Sequence, residues 1–195
     1  GVEYIELRSL DINPFAVAGI DEDQMKFLDI FLIYCLICEG PEFTKKEYQL
    51  YEENFSSVVL GGRNRDLPLF EVDGSSKSLK EMLKDLFFGL EVVVEILDSC
   101  LGQEEGYKEV LEKYRRIFEG KEPSLSERMI EEMNTQKLSY FDLIYNLSEK
   151  NKKFFIEKEM ASDKERYFID QSEKSKVEHL KIERKAREPF DVFVK

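Results

Sequence analysis

The sequence predicts an α+β fold that is mainly helical and opens on a β-strand. Two observations support this prediction. Residues 2–15 alternate in the manner of a strand, in which successive side chains point to opposite faces of a sheet. Most of the remaining chain carries apolar residues spaced three and four apart behind helix-start signals. The segment 58–75 is the one other region whose pattern is compatible with a few short strands.

The opening strand carries the strongest functional candidates, Glu6 and Arg8. They lie on one face, two residues and therefore about 7 Å apart. At that separation a carboxylate and a guanidinium can serve one phosphate from two sides, one of them through a metal ion. An ordinary ion pair on a half-exposed strand explains the same spacing, and spacing alone favours it. Asp11 and Asn13 are turn formers, and Pro14 closes the strand.

Capping pairs predict where most of the helices begin. In each pair, Ser, Thr or Asp is followed three residues later by Gln, Glu or Asp. The pairs are Asp21 with Gln24, Thr44 with Glu47, Ser78 with Glu81, Ser124 with Glu127, and Ser139 with Asp142. A further helix is predicted over about residues 107–118. From residue 147 to 187 the chain is dense in Lys and Glu, which indicates solvated, charged helices.

The first two helices and the segment behind them have predicted ends. Gly40-Pro41 ends the first helix near Cys38, and the second helix reaches about Ser57. Residues 58–75 then form short strands or extended loops around Gly61-Gly62. This glycine pair beside Arg63 and Arg65 has the composition of an anion site, but it is far too short for a phosphate loop, and a simple turn is the stronger interpretation.

Charge and hydropathy exclude two classes of partner. The 195 residues include 29 basic and 41 acidic residues, and the net charge is −12. Nucleic acids and anionic membranes both call for clustered positive charge, so neither is expected as a partner. The most apolar run, from Met25 to Cys38, is shorter than the roughly 20 residues that a membrane span needs.

The cysteine pattern predicts a reducing compartment, and the cytoplasm is the expected location. Three cysteines form no even disulfide framework. Cys35 and Cys38 have the spacing of a redox or zinc motif, but structural zinc takes four ligands and the single histidine, His179, is far along the chain. Small buried thiols in an apolar helix are the simpler interpretation.

Several motifs together resemble bacterial glutamate–cysteine ligase, also called γ-glutamylcysteine synthetase. The opening stretch 2–15, Gly19-Ile20-Asp21 and the apolar run 27–31 resemble the core motif of that family. Further similarities follow in the same order at Pro41-Glu42, Val58-Val59-Leu60, Gly62-Arg63, Leu97-Asp98-Ser99 and Glu188-Pro189-Phe190-Asp191-Val192-Phe193. The likeness is closest to the single-function form of the enzyme. It is most specific over the first forty and last eight residues.

This resemblance implies that the chain is the C-terminal part of one larger catalytic domain. Residues 1–15 are then an active-site strand and turn, residues 21–146 a helical core, and residues 147–195 charged C-terminal helices. The opening strand is expected to belong to the curved antiparallel sheet of a glutamine-synthetase-like ligase fold. The missing N-terminal segment of the same enzyme is the expected partner of this chain.

The resemblance also implies an activity. The family joins the γ-carboxyl group of glutamate to the amino group of cysteine with ATP and Mg²⁺, through γ-glutamyl phosphate, as the first step of glutathione biosynthesis. Glu6 matches the family's metal-ligand glutamate. Arg8 matches the arginine beside the transferring phosphate, which makes it the expected catalytic and nucleotide-binding residue. The other ligands and the amino-acid pockets lie upstream, so this chain alone is expected to be inactive.

Two alternatives stay open at this point. One is a non-catalytic helical scaffold or interaction module that keeps the ligase fold. The other is a related carboxylate–amine ligase with a different acceptor amine. The retention of both Glu6 and Arg8 on one strand face favours the ligase, because a scaffold has no need of an exposed carboxylate beside an exposed guanidinium.

Overall fold

The computed structural model of the chain describes residues 3–8, 10–40, 44–102 and 106–184. Within these residues it has seven α-helices and one two-stranded sheet, which confirms the mainly helical α+β prediction. In chain order the elements are α1 (Glu22–Ile37), α2 (Lys45–Gly61), β1 (Pro68–Phe70), β2 (Ser76–Ser78), α3 (Leu79–Leu101), α4 (Tyr107–Glu119), α5 (Leu125–Gln136), α6 (Tyr140–Glu157) and α7 (Ser162–Arg184). The chain divides into two compact units, residues 1–147 and 148–195.

The predicted capping pairs begin their helices. Reciprocal capping boxes open α1, α2, α3 and α5, where each cap side chain accepts from a backbone amide and the fourth residue bonds back to the cap. Ser139 and Asp142 exchange the same kind of bonds before α6. Helix α4 begins differently, at Gly106 with φ 74° and without a side-chain cap.

The hydrophobic core lies where α1, α3 and α4 meet. Ile30 and Leu90 are completely buried there. The core cluster consists of Ile30, Phe87, Leu90, Val93, Val94, Leu97, Tyr107 and Leu111. The ring of Phe27 stacks on Tyr114 with centroids 4.2 Å apart. Burial of this ring, together with the nearby carboxylates of Asp21 and Asp23, raises the pKa of Tyr114 to about 12. The first and fourth helices therefore meet close to the start of α1.

The second helix continues further than predicted, and only the latter part of segment 58–75 is extended. Val58, Val59 and Leu60 lie within α2, because no helix breaker precedes the glycine pair. Strand β1 then pairs antiparallel with β2, with Leu69 opposite Lys77. The side chain of Asn54 in α2 takes the place of a further strand. It donates to the Phe70 carbonyl oxygen at 2.9 Å and accepts from the Phe70 amide at 3.0 Å.

The predicted opening strand does not form. Residues 3–8 are neither helix nor strand, and their side chains are exposed. A strand requires a neighbour to pair its backbone groups, and none lies against this segment among the residues that the structure describes. An exposed N-terminal segment was one of the two outcomes expected for a strand without a partner.

None of the helices in the described ranges is long and apolar enough to cross a lipid bilayer.

Close packing between α1 and α3 predicts an unusual effect of substituting Gly89. Gly-to-Ala changes inside helices ordinarily stabilise a protein by about 0.4–1 kcal/mol. A Cβ on Gly89 would overlap the ring of Tyr34 and lie 3.0 Å from its Cζ atom. We therefore expect Gly89→Ala to lower the free energy of unfolding by about 1–3 kcal/mol.

Urea denaturation measures this effect, with Gly61→Ala as its control. Gly61 is also helical, and a Cβ there meets only Leu67 at ordinary contact distance. Gly61→Ala should be neutral or stabilising. Equal effects of the two substitutions would contradict the steric explanation.

The capping carboxylates predict weaker folding in acid. The hydroxyl and backbone amide of Ser78 hold the pKa of Glu81 below its ordinary value of 4.5. A carboxyl whose pKa is lower in the folded chain stabilises it above the unfolded pKa, and this stabilisation is lost as the pH falls through the folded pKa. We expect the urea midpoint to fall below about pH 4.5, and Glu81→Gln to make that decline shallower. An unchanged acid limb in the variant would contradict this assignment.

Candidate functional site

Glu6 and Arg8, the two predicted site residues, contact each other in the structure. The Arg8 Nε atom donates to Glu6 Oε2 at 2.8 Å, and a terminal guanidinium nitrogen lies 2.5 Å from the same oxygen. The Arg8 side chain is 85% exposed and the Glu6 side chain is 50% exposed. An ion pair this open to solvent stabilises the fold by only about 0–1 kcal/mol. Both groups are therefore free to exchange this contact for another ligand at little cost.

The segment around this ion pair is uncovered. Tyr4, Ile5, Leu7, Leu10 and Ile12 all expose large parts of their apolar side chains. Exposed apolar surface beside two charged groups is unfavourable in water and is typical of a surface that another part of a protein covers. In the described chain nothing covers it.

Asn13 attaches this segment to the helical core, and its side chain is only 1% exposed. Its amide nitrogen donates to Asp21 Oδ2 at 3.0 Å and to Gln24 Oε1 at 2.8 Å. Its amide oxygen accepts from the Phe15 backbone at 3.0 Å, and its own backbone amide donates to the Gly19 carbonyl at 2.8 Å. The sequence predicted a turn former here, and the structure shows that the turn is also bonded to α1.

The described residues supply part of a magnesium site at most. Mg²⁺ prefers oxygen ligands and is commonly held by one or two carboxylates, with substrate phosphates and water completing its shell. The exposed Glu6 carboxylate fits the role of one such ligand. No group of three or more His, Cys, Asp or Glu side chains suited to a metal occurs among the residues that the structure describes. Glu6 could therefore hold a metal only together with other groups.

The thiols of Cys35 and Cys38 are exposed, so the prediction that they are buried was wrong. They lie at the end of α1, where the chain leaves the core, and the intervening Leu36 is 84% exposed. An apolar run does not identify which turn of a helix passes out of the core. Hydrogen bonding to Cys38, with a smaller effect of burial, raises the pKa of the Tyr34 hydroxyl.

The other candidate anion site has a structural role in the described chain. Arg63 forms an ion pair with Glu127 at 3.2 Å. The Arg65 guanidinium donates to the Glu119 carbonyl at the end of α4 and lies against Gly120, where a Cβ would overlap it. These contacts connect the end of α2 to α4 and α5. They favour the turn interpretation of the glycine pair over anion binding.

Sequence comparisons identify related proteins. A family model described as glutamate-cysteine ligase matches residues 1–58, which include Glu6, Arg8 and Asn13. The curated glutamate–cysteine ligase of Photorhabdus laumondii is 42% identical over 144 residues, 73% of this chain and 27% of that protein. The enzyme of Baumannia cicadellinicola is 42% identical over 134 residues, 68% of this chain and 25% of its own length. That of Proteus mirabilis is 38% identical over 144 residues, with 73% and 27% covered.

A solved structure shares the fold. The crystal structure of glutamate–cysteine ligase from Francisella tularensis in complex with AMP matches with a TM-score of 0.84 and 24% sequence identity. The match covers 100% of this chain and 38% of that chain. The described fold is therefore that of part of a larger protein. Pro41-Glu42 and residues 188–193, which contribute to the motif resemblance, lie outside the described residues. From the sequence matches, the chain belongs to the glutamate–cysteine ligase family and spans about a quarter of the length of the curated relatives that it matches.

Proposed function

We propose that this chain forms part of an ATP-dependent ligase that joins the γ-carboxyl group of glutamate to the amino group of cysteine. This is the first step of glutathione biosynthesis, and we place it in the cytoplasm. The observation that carries the proposal is the contact between Glu6 and Arg8 inside the part of the chain that matches the family model. The relatives are named glutamate–cysteine ligases, and the Francisella enzyme was solved with AMP, which supports ATP as the nucleotide.

In this proposal Arg8 binds and neutralises the transferring phosphate. A carboxylate that attacks a triphosphate brings like charges together, so cationic groups must offset them as they converge. A guanidinium offers a planar set of donors that matches phosphate oxygens. Arg8 now directs two of its nitrogens to Glu6, and the same donors can turn to a phosphate.

Glu6 is the proposed metal ligand. Its carboxylate is released when Arg8 turns to a phosphate, and a free carboxylate is the kind of ligand that Mg²⁺ prefers. When bound, Mg²⁺ would offset the negative charge of the phosphates. Since the described chain offers one suitable carboxylate, further ligands have to come from elsewhere in the enzyme. The chain alone is therefore proposed to be inactive in ligation.

The domain organisation belongs to the same proposal. Residues 1–15 would supply an active-site strand and turn, residues 21–146 a helical core, and residues 147–195 charged C-terminal helices of one larger catalytic domain. The exposed apolar side chains of the opening segment support this arrangement, since a strand of a sheet would have both neighbours and a covered face. The rest of the enzyme is accordingly the first partner of this chain.

The test is ADP release from Mg-ATP by the complete ligase polypeptide. Release should require both glutamate and cysteine. Glu6→Gln removes the charge and keeps the shape, so kcat should fall by about 100-fold or more if the carboxylate acts in the transition state. Glu3→Gln is the matched control, because Glu3 is an exposed carboxylate on the same segment. It should change kcat by no more than about twofold.

Three other results would each revise the proposal in a different way. Equal effects of the two substitutions would remove Glu6 from the metal site. ADP release with glutamate and another amine would keep the reaction class and change the product. Absence of ATP turnover in the complete polypeptide would leave the scaffold alternative.

A further inference from the structure

We propose that Asn13 is a positioning residue of this ligase, whose buried amide ties the segment bearing Glu6 and Arg8 to the N-terminus of α1. This inference rests on the proposed function. It concerns where the two charged side chains stand relative to the helical core. Asn13 itself is five residues beyond Arg8 and is enclosed by protein, so it acts through the backbone that it holds.

The amide of Asn13 is fully engaged as a donor. Among the described residues it is the one polar side chain that belongs to the buried set. Its two N–H groups bond to Asp21 and Gln24, and its oxygen accepts from the Phe15 backbone. A buried polar group with satisfied hydrogen bonds costs little, whereas removal of one partner leaves the others unpaired at about 1–3 kcal/mol each.

The network shares its atoms with the cap of α1. Asp21 uses Oδ1 to accept from the Gln24 amide at 2.8 Å and Oδ2 to accept from Asn13. The Gln24 Oε1 atom accepts both from the Asp21 amide at 3.1 Å and from Asn13 at 2.8 Å. The start of α1 and the anchor of the opening segment are consequently one hydrogen-bonded unit.

Asn13 is also the first buried attachment after Arg8. The described residues between them, Leu10, Asp11 and Ile12, are exposed. Five residues of extended chain reach at most about 17–18 Å, so the point where the chain leaves Asn13 limits where Arg8 can stand.

A second contact holds the same loop from the other side. The Arg128 guanidinium of α5 lies over the Phe15 ring, 4.3 Å from its centroid. The loop that follows Asn13 is thus held by α1 and α5, and a change at Asn13 alters the direction in which the opening segment departs.

The first test compares kcat in the complete ligase at a temperature where every variant is folded. A misplacement of about 1 Å can lower a rate by about 100-fold, and we expect a loss of this size in Asn13→Ala. Ser78→Ala is the matched control, because it removes the cap of a different helix that has no contact with the loop. It should lose about 1 kcal/mol of stability and keep kcat within about twofold. Equal kcat values in the two variants would overturn the proposal.

An exchanged pair of side chains separates bonding from shape. Asn13→Asp keeps the volume but places carboxylate oxygens against Asp21, so it should lose kcat as Asn13→Ala does. Adding Asp21→Asn restores a donor and an acceptor in reversed order, and Asn remains a good helix cap. Partial recovery of kcat in the double variant supports the anchor. No loss in Asn13→Asp would overturn it.

Amide hydrogen exchange on this chain gives a readout independent of activity. Asn13→Ala should speed exchange over residues 13–24 and leave the centre of α3 unchanged. Unchanged exchange over residues 13–24 would overturn the anchor. Faster exchange there, with no ATP turnover by the unsubstituted complete ligase, would uphold the anchor and overturn the proposed ligase function.

Discussion

The start of α1 is the point on which the two parts of this structure depend. One face of α1 buries Ile30 against α3 and α4, and its first turn holds the amide of Asn13. The same turn lies near the buried ring of Tyr114, whose pKa is raised by burial and by the neighbouring carboxylates. Packing of the helical core therefore fixes the orientation of the first turn, and that turn in turn fixes where the opening segment begins.

The opening segment has the opposite physical character. Its charged pair is open to water and contributes little to stability, and its apolar side chains have no cover in the described chain. A group held only by weak contacts can change partners without disturbing the fold. The chain thus separates a well-packed support from a weakly held pair of reactive groups, which is the arrangement expected when another part of a protein completes the site.

Local signals were predictable from the sequence and non-local ones were not. A capping box involves four consecutive residues, so Asp21, Ser78 and Ser124 could be assigned as helix starts before the fold was known. A strand is stable only beside another strand, so the alternation of residues 3–8 could not show whether a neighbour is present. The contact between Glu6 and Arg8 followed from their spacing. The attachment of Asn13 to α1 could not, because it depends on a loop folding back over eight residues.

The length of the chain explains why one carboxylate and one guanidinium are what it contributes. It spans about a quarter of the curated relatives that it matches, and it covers 38% of the Francisella enzyme while matching that fold closely. A ligase that joins three substrates needs several charged groups aimed at one point, and such groups are best held by separate rigid elements. In this family member the described chain provides one attachment for that purpose, at Asn13. The accuracy of any shared site then depends on how rigidly α1 holds it.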